Sequence, residues 1–230
     1  MVTNATREVQ PAAVLFSCGL DSAVLLAQVA AQGAAQPIYV SAGLAWEPQE
    51  LACAERLLSV LPFRDTVMPL VRLSVDMRDV YPPTHWAIRG SAPAFDTPDE
   101  DVYLEGRNIV LLAKTAVYMA RAGLTRVLLG PLAGNPFPDA TPSFFRAMGT
   151  ALSAGLGGSI EIETPLAALD KAAVIALGRA LGVPFELTLS CMQPVDGKHC
   201  GRCSKCRERR DGFSAAGVPD PTSYDRPPLR

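Results

Sequence analysis

The stretch that most constrains the fold is a short apolar run followed by a small, polar turn and an apolar helix. It spans residues 12–30 and reads AAVLFSCGLDSAVLLAQVA. Ala13–Phe16 is typical of a buried strand, and the turn Ser17–Ser22 leads directly into a helix rich in Ala, Leu and Val. The first amides of a helix lack intrahelical partners, and the helix dipole favours an anion there. Gly19 would let a ligand approach the backbone, so the stretch predicts a phosphate-binding turn.

Two common nucleotide-binding patterns are missing from this turn. It has no Gly-Lys-Ser/Thr ending, so it is not a Walker A loop, and it lacks the Gly-x-Gly-x-x-Gly spacing of dinucleotide-binding folds. The alternative interpretation is an ordinary strand–turn–helix in which a Ser or Asp side chain caps the helix.

Strands and helices alternate along the rest of the chain, which predicts an α/β fold with a doubly wound, parallel, five-stranded sheet. Further strands are expected at 36–41, 66–75, 125–130 and 160–163, and further helices at 47–61, 109–123, 141–154 and 170–181. We expect two units, an α/β domain over 1–185 and a cysteine-containing C-terminal segment over 186–230.

Two segments without clear periodicity fall between these elements. Residues 76–102 are rich in Pro, Asp and aromatic side chains. A loop of that length inside a compact domain is usually functional or mobile. Residues 131–139 follow a buried strand, at the edge where open α/β sheets bind ligands.

Four of the six cysteines form a C-x8-C-x2-C-x2-C pattern: Cys191, Cys200, Cys203 and Cys206. In an intracellular chain such a cluster indicates a metal rather than disulfides. The two-residue spacers let thiolates converge on one tetrahedral centre, which the distant Cys191 closes. Four sulfur ligands leave no open position and favour a structural zinc, with an iron–sulfur cluster as the alternative.

Basic residues surround the cysteines: Lys198, Arg202, Lys205, Arg207, Arg209 and Arg210. Zinc held by four thiolates carries a net negative charge, so charge compensation on a solvated helix explains them. Contact with tRNA is the alternative.

Overall charge and hydropathy argue against a general nucleic-acid-binding protein and against a membrane protein. The formal net charge of the 230 residues is −2, which provides no general attraction to nucleic acid or anionic membrane. No apolar run approaches the roughly 18–20 residues that span a bilayer. The first ten residues, MVTNATREVQ, are polar and contain no apolar signal segment, so we expect a cytoplasmic protein.

Several motifs, in order along the chain, resemble one enzyme family. The turn Ser17–Ser22 is similar to the S-G-G-x-D-S loop of the PP-loop ATP pyrophosphatases, with Cys18 in the place of the first glycine. The cysteine segment resembles that of the 7-cyano-7-deazaguanine synthase (QueC) family within that class. Matching motifs elsewhere are Gly106-Arg107-Asn108, Pro138-Asp139, Thr164-Pro165-Leu166, Leu169-Asp170-Lys171, Leu181-Gly182-Val183-Pro184 and the run from Ala216 to Thr222.

The resemblance implies an adenine-nucleotide hydrolase-like PP-loop fold with a C-terminal helical zinc-binding segment, and an ATP-dependent carbon–nitrogen ligase. Such enzymes cleave ATP between its α- and β-phosphates, adenylate a carbonyl oxygen and release pyrophosphate. In this family ammonia converts activated 7-carboxy-7-deazaguanine to an amide, which a second ATP helps dehydrate to a nitrile. The implied ligands are ATP with Mg²⁺, ammonia and a small carboxylate of the deazapurine class. A membrane or nucleic-acid partner is not expected, and a homodimer is compatible with the resemblance.

The resemblance also assigns roles to residues, and each role has a simpler alternative. Asp21 would orient Mg²⁺, which prefers oxygen ligands. Arg107 would hold phosphate or substrate together with Asn108, unless Asn108 only caps its helix. Lys171 would neutralise a triphosphate from a helix start, where a cation is otherwise unfavourable, unless it is a solvated surface lysine.

The remaining assignments concern substrate, nucleotide and metal. Asp139 would meet substrate or metal, unless it only forms the turn after Pro138. The catalytic set is Asp21, Arg107 and Lys171, and the metal set is the four clustered cysteines. The ATP-binding set is Phe16, Ser17, Cys18, Gly19, Leu20, Asp21, Ser22 and Asn108.

Two departures from the family pattern fall where a deazapurine would be recognised. The Tyr-Gly-Gln-Arg-His run after the second strand is replaced by Ser41–Glu47, without the Arg-His pair, and a longer polar loop is shortened to 131–137. One alternative is therefore a related enzyme that amidates another carboxylate or joins a carboxy-deazapurine to a different amine. Others are a PP-loop tRNA sulfur transferase, for which only Cys18 and Cys53 are free, and a non-enzymatic nucleotide- or nucleic-acid-binding module.

Overall fold

A computed structural model describes residues 11–227, which contain a parallel sheet with helices on both faces. The strands are β1 (Ala12–Leu15), β2 (Ala35–Ser41), β3 (Val71–Ser74), β4 (Arg126–Leu128) and β5 (Glu161–Glu163). The α-helices are α1 (Leu20–Ala30), α2 (Glu47–Val60), α3 (Trp86–Arg89), α4 (Arg107–Ala122), α5 (Pro142–Leu156), α6 (Lys171–Ala180) and α7 (Ser204–Ala215). The strand order is β3-β2-β1-β4-β5, which confirms the predicted doubly wound, five-stranded parallel sheet.

Side-chain alternation along β1 distributes the core between the two faces of the sheet. Ala12 and Val14 pack in an apolar cluster with α1, α6 and part of α2. Ala13 points to the opposite face and packs in a second cluster with α4 and α5. All of these side chains are buried, because a parallel sheet covered by helices on both sides exposes neither face.

The third strand is shorter than the predicted 66–75. Arg64–Thr66 forms a single 3₁₀ turn, and the ladder with β2 covers only Val71–Ser74. Pro69 lies between them and has no amide hydrogen to donate, so a continuous ladder is interrupted there.

The aperiodic segment 76–102 contains helix α3 and a 3₁₀ turn at Asp99–Val102. Its apolar side chains form a third small cluster with the loop after β2. Within that cluster the rings of Trp46 and Trp86 stack with centroids 5.6 Å apart. The segment is therefore held by an apolar cluster of its own beside the sheet edge.

The cysteine segment packs against the α1 face of the sheet. Cys200, Cys206 and Phe213 belong to the same apolar cluster as α1 and α6. The division into units at residue 185 stays a prediction. Among the helices of residues 11–227, none is long and apolar enough to cross a membrane.

Candidate functional site

A cleft opens at the carboxyl ends of the strands, where β1 and β4 diverge to helices on opposite faces. It has two adjoining lobes of about 270 Å³ and 210 Å³. The larger lobe lies towards β2, β4 and the start of α4, and the smaller one lies towards α6 and α7. Five residues line both lobes: Ser17, Gly19, Asp21, Glu50 and Arg107.

The turn between β1 and α1 forms the floor that the two lobes share. Ser17 and Ser22 brace it internally, since the Ser17 amide donates to the Ser22 hydroxyl at 3.3 Å and that hydroxyl donates to the Gly19 carbonyl at 3.0 Å. Gly19 is the N-cap residue of α1, and no side chain makes a capping hydrogen bond there. The alternative in which Ser or Asp caps this helix is therefore wrong. An uncapped helix N-terminus facing a cleft is suited to binding an anion.

Cys18 stands where the related loops carry glycine. The backbone conformation at this position explains why glycine is preferred there. Its φ is +60°, in the left-handed region that glycine adopts without strain. Its side chain turns away from the cleft, is fully buried, and donates from its thiol to the Leu187 carbonyl at 3.6 Å. Burial raises the pKa of this thiol well above its usual value. Cys53 is buried too, and neither thiol lines the cleft.

Lys171 joins the turn to the cysteine segment. Its ammonium donates to both carboxylate oxygens of Asp21 at 2.9 and 2.7 Å, and it pairs with Glu208 of α7 at 2.7 Å. Only 17% of its side chain is exposed, so the alternative of a solvated surface lysine is wrong. Burial disfavours the charged form, but the Asp21 and Glu208 carboxylates outweigh that cost and raise the pKa of Lys171 above its usual range.

Arg107, Asn108 and Asp139 lie together on the opposite wall. Asn108 does not cap α4, because the N-cap residue is Gly106. Instead the backbone amide of Asn108 donates to an Asp139 carboxylate oxygen at 3.0 Å. Its side-chain Nδ2 donates to the backbone carbonyl of Asp139 at 2.9 Å. Asp139 is buried and anchors the 131–139 loop to α4, while Arg107 extends into both lobes.

The guanidinium of Arg107 is incompletely bonded. Its Nε is buried and has no hydrogen-bond partner among residues 11–227. A buried donor without an acceptor costs free energy, so a ligand with an acceptor group would satisfy it.

Two cleft carboxylates, Glu50 and Glu208, are missing from the sequence-based assignment. Glu50 follows β2 on the first turn of α2, and it accepts a hydrogen bond from the Tyr39 hydroxyl at 2.8 Å. The rule that ligands bind at the carboxyl ends of parallel strands could have drawn attention to it. Glu208 lies one residue before the buried Arg209, within the basic run of α7, and nothing in that run indicates its contact with Lys171.

The loop that replaces the family's Tyr-Gly-Gln-Arg-His run is closed by one carboxylate. Glu47 accepts hydrogen bonds from the Ser41 hydroxyl at 2.5 Å and from the amides of Ala42 and Gly43 at 2.7 and 3.1 Å. Glu47 is buried and uses its acceptors within the loop, so this stretch presents a compact turn in place of a basic pair.

The four clustered cysteines form a metal-capable site. Their Sγ atoms all lie within 4.8 Å of one another and all four residues are buried. The Sγ–Sγ distance is 3.9 Å between Cys191 and Cys203, 3.9 Å between Cys200 and Cys206, and 3.5 Å between Cys203 and Cys206. Backbone amides donate to the sulfurs of Cys191 and Cys200 at 3.3 Å, which stabilises the thiolate form.

The imidazole of His199, beside this cluster, is already hydrogen-bonded to the backbone. Its Nε2 accepts a hydrogen bond from the Ser190 amide at 3.1 Å, and the residue is buried. Burial lowers the pKa of this imidazole to about 3, which keeps it neutral. It therefore orders the chain beside the cysteines.

Much of the basic run of α7 serves internal contacts. Arg209 is buried and donates to the hydroxyl of Thr188 at 2.8 Å and to the carbonyl of Phe185 at 2.8 Å. Arg207 donates to the carbonyls of Phe95 and Thr97 at 2.9 and 2.7 Å, which fastens the 76–102 segment to α7. Lys205 pairs with Glu208 at 2.5 Å.

The structure thus brings most of the predicted site residues to one cleft. The lining includes Phe16, Ser17, Gly19, Leu20, Asp21, Ser22, Arg107, Asn108, Asp139 and Lys171. Cys18 contributes its backbone to the turn but does not line either lobe. The four cysteines form a separate buried cluster at the start of α7.

Comparison with known proteins gives a consistent result. The family model described as "Queuosine biosynthesis protein QueC" matches residues 11–217. The 7-cyano-7-deazaguanine synthase of Anaeromyxobacter dehalogenans (strain 2CP-C) is 36% identical over 233 residues, covering 97% of this chain and 99% of that protein. Its counterpart in Anaeromyxobacter sp. (strain Fw109-5) is 37% identical over 232 residues, covering 96% and 98%. Among solved structures, a "predicted subunit of tRNA methyltransferase" from Methanocaldococcus jannaschii has a TM-score of 0.49 and 15% identity, covering 94% of this chain and 92% of that one.

Proposed function

The chain belongs to the QueC family, and we propose on that basis that it is a cytoplasmic, ATP-dependent carbon–nitrogen ligase. The proposed reaction converts 7-carboxy-7-deazaguanine and ammonia to 7-cyano-7-deazaguanine, the activity for which its relatives are named. ATP adenylates the substrate carboxylate and releases pyrophosphate, and ammonia displaces AMP to form the amide. A second ATP activates the amide oxygen, and loss of AMP leaves the nitrile.

The observation that carries this proposal is the uncapped start of α1 in the shared floor of the cleft, with cationic Lys171 and Arg107 on its walls. Free helix amides attract the phosphates of ATP, and the two cations neutralise charge on the departing pyrophosphate. No protein nucleophile is required, because the acceleration comes from aligning carboxylate and α-phosphate.

Mg²⁺ fits the residues at the floor of the cleft. Asp21 offers a carboxylate beside the anion-binding amides, and Mg²⁺ prefers carboxylate and phosphate oxygens over nitrogen or sulfur. Bound Mg²⁺ supplies charge neutralisation on the phosphates. Lys171 would keep Glu208 as a partner if Asp21 held the ion.

The cysteine cluster fits a single structural Zn²⁺ better than an iron–sulfur cluster. Zinc–sulfur bonds of about 2.3 Å in a tetrahedron place the sulfurs about 3.8 Å apart. Three of the six Sγ separations, at 3.5 to 3.9 Å, agree with that spacing, and all six are within 4.8 Å. A cluster that attaches each thiolate to a different iron would spread the sulfurs more widely. The ion would join the chain on both sides of residue 195 and hold α7 in place.

The test is to incubate the protein with ATP, Mg²⁺, ammonia and 7-carboxy-7-deazaguanine, and to follow AMP, amide and nitrile by mass detection. We expect AMP to form and the nitrile to accumulate through the amide. AMP formation without either deazapurine product would reject this substrate and keep the enzyme class. No AMP formation would reject both.

A second candidate is a ligase that couples a carboxylate to an amine other than ammonia, or that amidates a different carboxylate. The observation in its favour is the loop closed by Glu47, where the family pattern has an Arg-His pair. Replacing ammonia with a panel of primary amines in the same assay distinguishes the two. Conjugates that form faster than the nitrile would favour this candidate.

A further inference from the structure

The nitrogen chemistry of the proposed function, on which this inference rests, needs a proton acceptor. When ammonia attacks the adenylated carboxylate, a C–N bond forms, the C–O bond to AMP breaks, and the nitrogen gives up one proton. Adenylation of the amide oxygen takes a second proton from nitrogen. In the final elimination the last N–H electron pair becomes the third C–N bond while AMP departs with the C–O pair. Ammonia therefore loses all three of its protons.

Most carboxylates in the cleft are committed to other partners. Among residues 11–227, four line its two lobes: Asp21, Glu50, Asp139 and Glu208. Asp21 and Glu208 are both paired with the Lys171 ammonium. Lys171 and Lys205 overcome the effect of burial and hold the pKa of Glu208 well below its usual range. Asp139 accepts the Asn108 amide hydrogen.

Glu50 differs from Asp21 and Glu208 because a neutral donor holds it, and from Asp139 because it lines both lobes. The Tyr39 hydroxyl donates to one oxygen at 2.8 Å, and Glu50 takes part in none of the ion pairs found within residues 11–227. It is 7% exposed and lies on the boundary between the two lobes. A buried carboxylate without a salt bridge can accept a proton at neutral pH.

The charged and titratable groups around Glu50 come from every element packed against it. Burial raises the pKa of its carboxyl to about 7, and Arg107 of α4 and the Tyr39 hydroxyl of β2 limit that rise. Glu47, on the same helix, opposes ionisation of Glu50. Burial, Cys53 and Glu50 raise the pKa of the buried Cys18 thiol, so it stays neutral. Burial and Glu50 also raise the pKa of Tyr39, so that hydroxyl remains a donor.

We propose that Glu50 is the catalytic base that removes protons from the substrate nitrogen, with Tyr39 positioning its carboxylate. Glu50 lines both lobes together with Ser17, Gly19 and Asp21, so it lies beside the floor where the acyl adenylate would form. Adenylation of the carboxylate itself removes no proton from nitrogen, so that half-reaction does not use Glu50.

The test separates adenylation from the nitrogen steps in the E50Q variant. Exchange of labelled pyrophosphate into ATP in the presence of 7-carboxy-7-deazaguanine measures adenylation, and amide and nitrile are quantified by mass. We expect exchange at the wild-type rate and a fall of at least about 100-fold in nitrile formation, the usual contribution of a general base. The wild-type rate of nitrile formation should rise with pH through a pKa near 7, and this limb should be missing in E50Q.

Two further variants control for structural effects. E50D, which keeps the carboxylate, should recover part of the nitrile rate and the pH limb. E55Q replaces an exposed glutamate of the same helix and should match the wild type. Equal losses of exchange and nitrile formation in E50Q would make Glu50 a binding residue and overturn the proposal, as would full activity. If the wild type itself forms no amide or nitrile, the proposed function fails, and the role of Glu50 falls with it.

Discussion

At the scale of single residues, the floor of the cleft is a set of charges that neutralise one another. Lys171 sits between Asp21 and Glu208, with each of its ion pairs at 2.7 Å. Buried ion pairs contribute little net stability, because desolvation offsets most of their attraction. Their value in the proposed function is positional, since they would hold the ammonium within reach of phosphates bound at the α1 amides.

Replacing Asp21 tests the catalytic part of this arrangement. We expect D21A to lower AMP formation by at least about 100-fold, because the variant would lose the carboxylate that holds Mg²⁺ beside the phosphates in the proposed function. Lys171 keeps Glu208, so the fold should survive. AMP release and thermal melting measure the two effects, and D65A, an exposed carboxylate far from the cleft, is the control. Unchanged AMP formation would refute the role of Asp21.

Replacing Cys18 tests whether its thiol takes part in chemistry. In C18G the left-handed backbone strain of about 1 kcal/mol is relieved while some buried packing is lost, so we expect little change in stability. AMP formation should remain close to the wild-type rate, because the thiol does not line the cleft. C53A is the matched control for a buried thiol. Loss of activity in C18G alone would revive a role for a cysteine, such as sulfur transfer.

At the scale of elements, the site depends on how closely α7 approaches α6. A Cβ atom at Gly212 would lie 2.3 Å from Cγ of Lys171, so only glycine allows this contact. Helix α7, which contains Cys206, therefore sets the position of the lysine that contacts Asp21.

The G212A variant tests this coupling. We expect it to displace α7, to destabilise the fold by about 1–3 kcal/mol through overpacking, and to lower AMP formation as the Lys171–Glu208 pair is broken. Melting and AMP assays measure both changes. G155A is the control, because a Cβ there meets nothing within 4 Å. A G212A protein as stable and as active as G155A would show that the contact is unimportant.

Elements that obey local rules were predictable, and contacts between distant segments were not. The strand–turn–helix at 12–30 was correct to within a few residues, since its apolar runs and its turn are local signals. The same apolar pattern made the predicted third strand too long, because hydrophobicity alone does not show that Pro69 interrupts the hydrogen-bond ladder. Glu50 and Glu208 were missed, since their importance depends on burial and on partners far along the chain.

At the scale of the whole molecule, the cysteine cluster connects the 76–102 segment, helix α7 and the apolar core beside α1. Cys203 pairs in a bridge with Ala94, and Arg207 holds the carbonyls of Phe95 and Thr97. The cluster itself packs into the apolar core beside α1. Metal binding is thus expected to stabilise both the 76–102 segment and the smaller lobe of the cleft.

The C203S variant tests this role. We expect loss of bound zinc and a marked fall in melting temperature, because the binding energy of a structural zinc is also folding energy. Metal analysis and melting with and without a chelator provide the measurements, and C53A should keep its zinc. A C203S protein with stoichiometric zinc and an unchanged melting temperature would contradict the assignment. Four iron atoms per chain in the wild type would instead identify an iron–sulfur cluster.

The three residues of the Lys171 bridge are far apart in the order of synthesis. The ribosome delivers Asp21 first, Lys171 much later and Glu208 only after the four cysteines have emerged. A nascent chain that has already built its sheet therefore lacks the second counter-charge of its buried ammonium. Competence to split ATP is expected to appear late and abruptly, when α7 docks, so unfinished chains would not consume nucleotide.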